Sequence, residues 1–419
     1  MAGEDRRPAS RPRRWRPRPR AAAAGAVAAG GLLLAGCASA AAPAPAPTPA
    51  PARPAAVTAP LATSLAGAGG RTWAIVVMGG SAADENNFWE LFTRPAGSAQ
   101  WTLVTPPGVA DNGGLVAAVP AAGQGLDVAF RPSQGLTFSP LALTGDGGRT
   151  WGAGLLDASV AAVPDALALG GGKMLALLGD GAIEQAATSG AAWRRLAAPG
   201  AVAASAAGRA CEVTGLTAVS LTASGTPLVA ASCARPGVAG IFVPAGASWQ
   251  ATGPSAGGRL AGQRVQVIRL TQYAAAGKAA GNAAANTATN TAGNMALLRA
   301  GTGKAASLLA AWTTDGTHWT VSPALPAGGT VLASGAGPGT SAWVLLAGGR
   351  AETVAGPGAA WRALPTPPRG TTVLAAGQAG TLDALAASGS TLTVFQLTAA
   401  GTWRQTQAIS VPVQLGSSS

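Results

Sequence analysis

Tryptophan marks a period in this chain. Seven of its twelve Trp residues, Trp101, Trp151, Trp193, Trp249, Trp319, Trp361 and Trp403, each follow a short turn-like cluster. Their successive spacings of 50, 42, 56, 70, 42 and 42 residues give a unit of about 42 residues with insertions. A unit of that length cannot bury both faces of its own sheet, so neighbouring copies must cover one another. The longest interval holds residues 274–294, a tract rich in Ala, Gly, Asn and Thr that is expected to be a disordered insertion inside one repeat.

Each unit has room for four short strands. In the last unit they are expected at Thr371 to Ala375, Thr381 to Ala387, Thr391 to Leu397 and Thr402 to Ile409, separated by Gly-, Ser- or Ala-rich turns. The unit before it reads the same way, with Thr330 to Ala333, Ser341 to Ala347, Arg350 to Ala355 and Trp361 to Leu364. Four antiparallel strands per unit make a propeller blade. The expected fold class is therefore all-β, a seven-bladed β-propeller of four-stranded antiparallel blades over residues 61–416. Two ring closures are open: Ala62 to Gly67 supplies the first strand of blade one, or Val411 to Leu415 supplies it from the far end.

Composition agrees with a turn-rich β chain, because 60 Gly and 31 Pro break the apolar residues into short bursts. The formal net charge of +12 is unevenly placed: eight Arg residues precede residue 21, and the chain after Cys37 carries about half the excess. No basic stripe interleaved with aromatic residues is present, so nucleic acid is not an expected partner.

The fullest turn cluster is Thr144-Gly145-Asp146-Gly147-Gly148-Arg149-Thr150-Trp151, and a shortened copy is Thr313-Thr314-Asp315-Gly316-Thr317-His318-Trp319. These resemble the Asp-box of the bacterial neuraminidase repeat, Ser/Thr-x-Asp-x-Gly-x-Thr-Trp. In such a turn Asp and Thr bond the local backbone N–H groups, Gly supplies positive φ, and Trp buries its ring behind the hairpin. Thr144, Asp146, Gly148, Thr150, Trp151, Thr313, Asp315, Gly316 and Trp319 are thus structural candidates. The clusters before Trp101, Trp193, Trp249, Trp361 and Trp403 keep Gly but have lost Asp.

The start of the chain has the order that export demands. An Arg-rich stretch to Arg20 precedes an apolar run from Ala21 to Gly36, which is short for a membrane span. Leu34-Ala35-Gly36-Cys37 resembles the lipobox of bacterial lipoproteins, which implies cleavage after residue 36 and diacylglyceryl transfer to Cys37. The Ala/Pro-rich segment 37–60 is expected to be a semi-rigid, disordered linker. The expected location is the outer face of the cytoplasmic membrane, held by the lipid anchor.

Cys211 and Cys233 flank an expected hairpin, and export permits a disulfide between them. A turn at Ser224-Gly225 would place Cys233 opposite a residue several positions past Cys211, so pairing them requires a longer loop or a bulge. The Asp-box resemblance raises a sialidase-like, cell-surface glycoside hydrolase as the alternative function. Against it, the chain has one Tyr, Tyr273, and Phe130-Arg131-Pro132 is the nearest remnant of that family's Arg-Ile-Pro signature. Two-carboxylate chemistry also needs a close acidic pair. Asp84-Glu85-Asn86-Asn87 is the densest set of oxygen ligands, read as a solvated loop rather than a cation site. His318, the single His, stands in a turn, so no metal, cofactor or imidazole catalysis is expected. No catalytic residue is assigned. The expected function is a monomeric, membrane-anchored extracytoplasmic module that binds or scaffolds a protein or a cell-envelope glycan.

Overall fold

A computed structural model describes residues 61–66, 71–79, 87–106, 115–118, 126–130, 141–153, 164–187, 192–255, 257–274, 292–337, 339–377 and 380–412. The expected signal segment 1–36, Cys37 and the expected linker to residue 60 lie outside the described residues, as do residues 84–86, 131–132 and 275–291.

The described chain is all-β apart from a few short helical turns, and its unit of construction is a four-stranded antiparallel meander. The first sheet runs β1 (Ser64–Ala66), β2 (Thr72–Met78), β3 (Phe88–Arg94) and β4 (Thr102–Leu103). The second runs β5 (Leu115–Ala118), β6 (Leu126–Phe130), β7 (Leu141–Thr144) and β8 (Gly152–Ala153). The third runs β9 (Ala166–Gly170), β10 (Lys173–Leu177), β11 (Ile183–Ala187) and β12 (Arg194–Ala197). Two short helices follow, α1 (Ala201–Ala204) and α2 (Ala206–Cys211).

A larger sheet comes next. It contains the meander β13 (Val213–Leu221), β14 (Pro227–Cys233), β15 (Gly240–Ala245) and β16 (Ser248–Ala251). The meander β17 (Val265–Ala274), β18 (Ala292–Ala300), β19 (Ser307–Thr313) and β20 (Thr320–Val321) joins it through the single pair Ser232 and Gln266, and β21 (Leu325–Pro326) adds to β19. The last two sheets are β22 (Val331–Ala336), β23 (Ala342–Leu346), β24 (Arg350–Val354) and β25 (Trp361–Ala363), then β26 (Thr371–Ala376), β27 (Leu382–Ser388), β28 (Thr391–Leu397) and β29 (Trp403–Ser410).

Local chemistry sets these hairpins. Between β9 and β10 the two-residue loop Gly171-Gly172 has positive φ at both positions, which matches the strand twist and which side chains resist. Each repeat Trp stands at or beside the start of an outermost strand. From there it packs into a cluster shared with the preceding sheet: Trp193 with Val116 and Leu141, Trp249 with Leu175 and Ile183, and Trp319 against Leu228 and Ile241. Trp101, Trp193 and Trp249 are buried. Trp151, Trp319, Trp361 and Trp403 are half-buried. On an outermost strand one face of the indole meets solvent unless a neighbouring turn covers it.

The first and last sheets meet directly. Arg94 donates to the Ala376 carbonyl, its Nε lies 3.5 Å from Asp383 Oδ2, and its guanidinium stacks over the Trp101 ring. The Gln407 side chain clamps the Trp101 backbone, accepting from its N–H at 2.8 Å and donating to its carbonyl at 2.9 Å. Of the two closures, the chain uses the first: β1 pairs with β2. Ahead of it, Ala62 also bridges Ala333 in parallel, and Thr63 Oγ1 donates to the Ser334 carbonyl at 2.8 Å, so this segment lies along β22.

One boundary needs correction. The insertion was expected over 274–294, but Ala274 ends β17 and Ala292 to Asn294 begin β18. Asn294 is fully buried, donating from Nδ2 to the Leu221 carbonyl and accepting from Ser220 Oγ. Those bonds extend the hairpin into a tract whose composition alone gave no strand signal.

Candidate functional site

Inner strands of successive sheets enclose a cavity of about 90 Å³. Its wall comes from the residues before β1, from β1, β5, β9, β13 and β17, from Ile75 of β2 and from Ala336 of β22. Most lining side chains are apolar. The polar exceptions include Thr63, Asp165, Thr217, Arg269, Thr271 and Gln272.

Beta-bulges shape this wall. Between Leu216 and Ala218 the register of β13 against β14 slips by one residue, leaving Thr217 as the extra residue. The same slip occurs in β17 at Ile268, in β22 at Leu332 and in β26 at Thr372. A bulge re-aims side chains and tightens the local twist. Strands β13 and β17 are both antiparallel to β14 and hence parallel to each other, and Gln272 Nε2 donates to the Leu221 carbonyl at 2.6 Å. Counting back four residues on each strand sets Thr217 and Ile268 at matching heights.

Charge in the cavity is sparse. Arg269 is half-buried, and burial pushes its pKa down to about 10. Its hydrogen bond is a 3.5 Å contact from Nη1 to the Leu61 carbonyl. Asp165, just ahead of β9, has its pKa raised by burial. No ion pair joins the two among the described residues. Thr217 Oγ1 and Gln272 Oε1 are buried without a hydrogen-bond partner.

The Asp-centred turns lie away from this cavity. Asp146 Oδ1 accepts from the N–H groups of Arg149 and Thr150, both at 3.0 Å, and Oδ2 accepts from the Thr150 hydroxyl at 2.7 Å. Gly148 N–H donates to Thr144 Oγ1 at 2.9 Å. The second turn repeats this: Asp315 Oδ1 accepts from Thr317 and His318 N–H at 2.8 Å each, Gly316 N–H donates to Thr313 Oγ1, and the His318 ring takes the place of the Thr150 hydroxyl. These bonds hold both carboxyl groups well below the usual carboxylate range, Thr150 being the largest cause for Asp146 and the His318 backbone for Asp315. Turns without Asp find substitutes that sequence reading missed. Thr398 Oγ1 accepts from Thr402 N–H before Trp403, and Ser98 Oγ accepts from Gln100 N–H before Trp101.

Cys211 and Cys233 are joined, with their Cα atoms 5.2 Å apart. Two bulges in β13 bring this about: they slide Cys233 opposite Val213, beside the end of α2. Tyr273 is 6% exposed and packs with Met295, Trp312 and Val354, and burial raises its pKa. The facing Gly293 leaves room for its ring, since a Cβ there would fall 2.5 Å from the hydroxyl oxygen. Tyr273 is thus a core residue set off from the cavity wall. Of Asp84-Glu85-Asn86-Asn87, only Asn87 is described, and it is buried. No cluster of three His, Cys, Asp or Glu occurs among the described residues.

No family model matches the chain, and no curated protein matches it. Among solved structures it is similar to YCF48 from Cyanidioschyzon merolae, at 16% identity and a TM-score of 0.43 over 82% of this chain and 95% of that one. It is similar to the GH74 xyloglucanase from Xanthomonas campestris, at 17% identity and a TM-score of 0.47 over 81% of this chain and 52% of that one. A third likeness is the six-bladed β-propeller lectin of Aleuria aurantia, at 17% identity and a TM-score of 0.37 over 74% of this chain and all of that one.

Proposed function

We propose that this chain is an exported lipoprotein whose folded part is a seven-bladed β-propeller that binds a protein or envelope glycan. In this reading residues 1–36 are a signal peptide, Cys37 carries the lipid, and residues 37–60 lift the ring off the membrane. Blades four and five are the two meanders joined by the Ser232–Gln266 pair, and blade seven closes on blade one through Arg94, Trp101 and Asp383.

The observation that carries the binding reading is the cavity between the inner strands, where propellers commonly hold ligands, with Asp165, Thr217, Arg269, Thr271 and Gln272 among its lining residues. Among the described residues it presents a single carboxylate, Asp165, where two-carboxylate glycoside chemistry uses a pair, which favours binding over hydrolysis. Fold by itself assigns no activity.

Two measurements test it. Palmitate labelling of the expressed chain is expected to mark the wild type and to vanish in Cys37→Ala, with release of the protein from membranes; an unlabelled wild type overturns the anchor. Crosslinking on intact cells and a glycan array are expected to give a partner that competes with mutations in the cavity wall. Turnover of a glycan substrate would overturn the binding reading.

A further inference from the structure

We infer that the face on which the inner strands begin docks onto an anionic bilayer surface, with Arg264, Arg299 and Arg369 as its contacts to lipid headgroups. This deepens the reading above and rests on it.

Excess positive charge is confined to one part of the chain. Residues 257–412 hold ten Lys or Arg and three Asp or Glu, whereas residues 38–256 hold ten and eleven. Of those three acids, Asp383 is buried against Arg94, and Glu352 is 8% exposed with Oε1 3.6 Å from Arg350 Nε. The third, Asp315, lies in the turn after β19. In an up-and-down meander the lead-in to the first strand and the turn after the second share one end, and the turn after the third lies at the other. Asp315 therefore stands at the far end of its sheet from Arg264, which leads into β17, and from Arg299, which is next to last in β18.

Backbone hydrogen bonds join the basic turns at the near end. Gly237, in the turn after β14, donates to the Gln263 carbonyl at 2.8 Å. Beside it the Arg264 carbonyl accepts from Gly301, in the turn after β18, also at 2.8 Å. That turn continues to Ala306, whose carbonyl accepts from Ala327 at 2.8 Å. Arg350 Nη2 reaches the same linker, donating to the Pro326 and Ala327 carbonyls at 2.6 and 2.9 Å. In the last sheet Arg369 precedes Gly370, whose carbonyl accepts from Ala387 at the end of β27. Arg264, Arg350 and Arg369 are exposed and Arg299 is half-buried. Arg235 borders this surface, but exposed Glu212 offsets it, since the Glu212 carbonyl accepts from Ala234 at 2.9 Å.

The N-terminal segment enters at this same end. Leu61 packs with Ala327 and Val331, and Ala62 bridges Ala333 in parallel, so the segment starts where β22 starts. A chain held to a bilayer through residues ahead of Leu61 therefore meets it with its basic turns. Each Arg near an anionic leaflet adds attraction that decays within a Debye length, and a second contact strengthens a lipid anchor.

The test is flotation of the full chain carrying Cys37→Ala with vesicles of equal parts phosphatidylglycerol and phosphatidylcholine. Pure phosphatidylcholine vesicles are the neutral counterpart and are expected to bind less. Residues 1–36 are common to every variant, so differences report the folded part. Arg264→Gln, Arg299→Gln and Arg369→Gln together are expected to weaken anionic binding by about tenfold or more. Lys at the same three positions is expected to keep binding, which separates charge from misfolding. Arg194→Gln, Arg362→Gln and Arg404→Gln remove three exposed charges at the opposite end and are expected to change binding little. Equal weakening by the two Gln triples, or none by the first, overturns the inference. Binding to polyglycerol phosphate in preference to vesicles overturns lipid as the partner. Because Cys37 is absent here, the lipid anchor can fail without altering these outcomes.

Discussion

The indole Nε1 of Trp101 donates a 3.0 Å hydrogen bond to Oδ2 of Asp383, so a side chain of the first sheet is fixed to the second strand of the last. The same carboxylate faces the Arg94 guanidinium, and all three side chains are buried. Burial raises the pKa of Asp383, while the Trp101 bond and the Arg94 charge work against that rise.

Removing the donor and removing the ring should therefore differ. Trp101→Phe keeps the apolar contact but takes a hydrogen bond from a buried carboxylate, for a loss of about 1–3 kcal/mol. Trp101→Ala also opens a cavity and is expected to cost about 3–5 kcal/mol. Urea unfolding of the two variants measures the order. Equal stability of Trp101→Ala and wild type would mean the two sheets do not depend on this junction.

Burial ranks the repeat tryptophans. Trp193, at 4% exposure, is expected to cost more on replacement by Ala than half-buried Trp151, because a cavity replaces dispersion contacts on every side of the ring. Thermal unfolding of the two single variants checks the ranking.

The two Asp-centred turns carry a pH signature. Both carboxyl groups are held below their unfolded value, near 4. Their contribution is thus fully present above that value and is lost as pH falls through the lower folded values. Amide exchange of Arg149, Thr150 and His318 is expected to lose protection on acidification. Asp146→Asn should remove the pH dependence at the first turn and leave the second unchanged.

Much of this architecture was legible before any coordinates. The strand expected at Thr391 to Leu397 is β28 to the residue, and Trp361 to Leu364 overlaps β25, because Gly-bounded runs of alternating residues state their own ends. Bulges were not legible, since whether Thr217 or Ile268 is an extra residue depends on the partner strand. The cavity was hidden for the same reason: Arg269 reads as one more surface charge until β17 is registered against β18. Trp312 follows no turn cluster and signals itself only as a large ring inside a strand, yet it is 2% exposed. Trp73 and Trp343, each 1% exposed, follow Gly-rich turns but stand on second strands rather than outermost ones.

The disulfide secures α2 to β14, where Gly240 packs on both sulfur atoms. Replacing both Cys211 and Cys233 by Ser is expected to cost about 3 kcal/mol in the chain-entropy model. A matching fall in the thermal midpoint is expected when the wild type is reduced, with no further fall when the double variant is reduced.

A crystal structure of the folded part of the chain tests ring closure most directly. Seven four-stranded sheets about one axis, with the Trp101 indole on Asp383 between the first and the last, is the expected result. Two separable folds, or a first sheet that lies apart from the last with Trp101 in solvent, would contradict it.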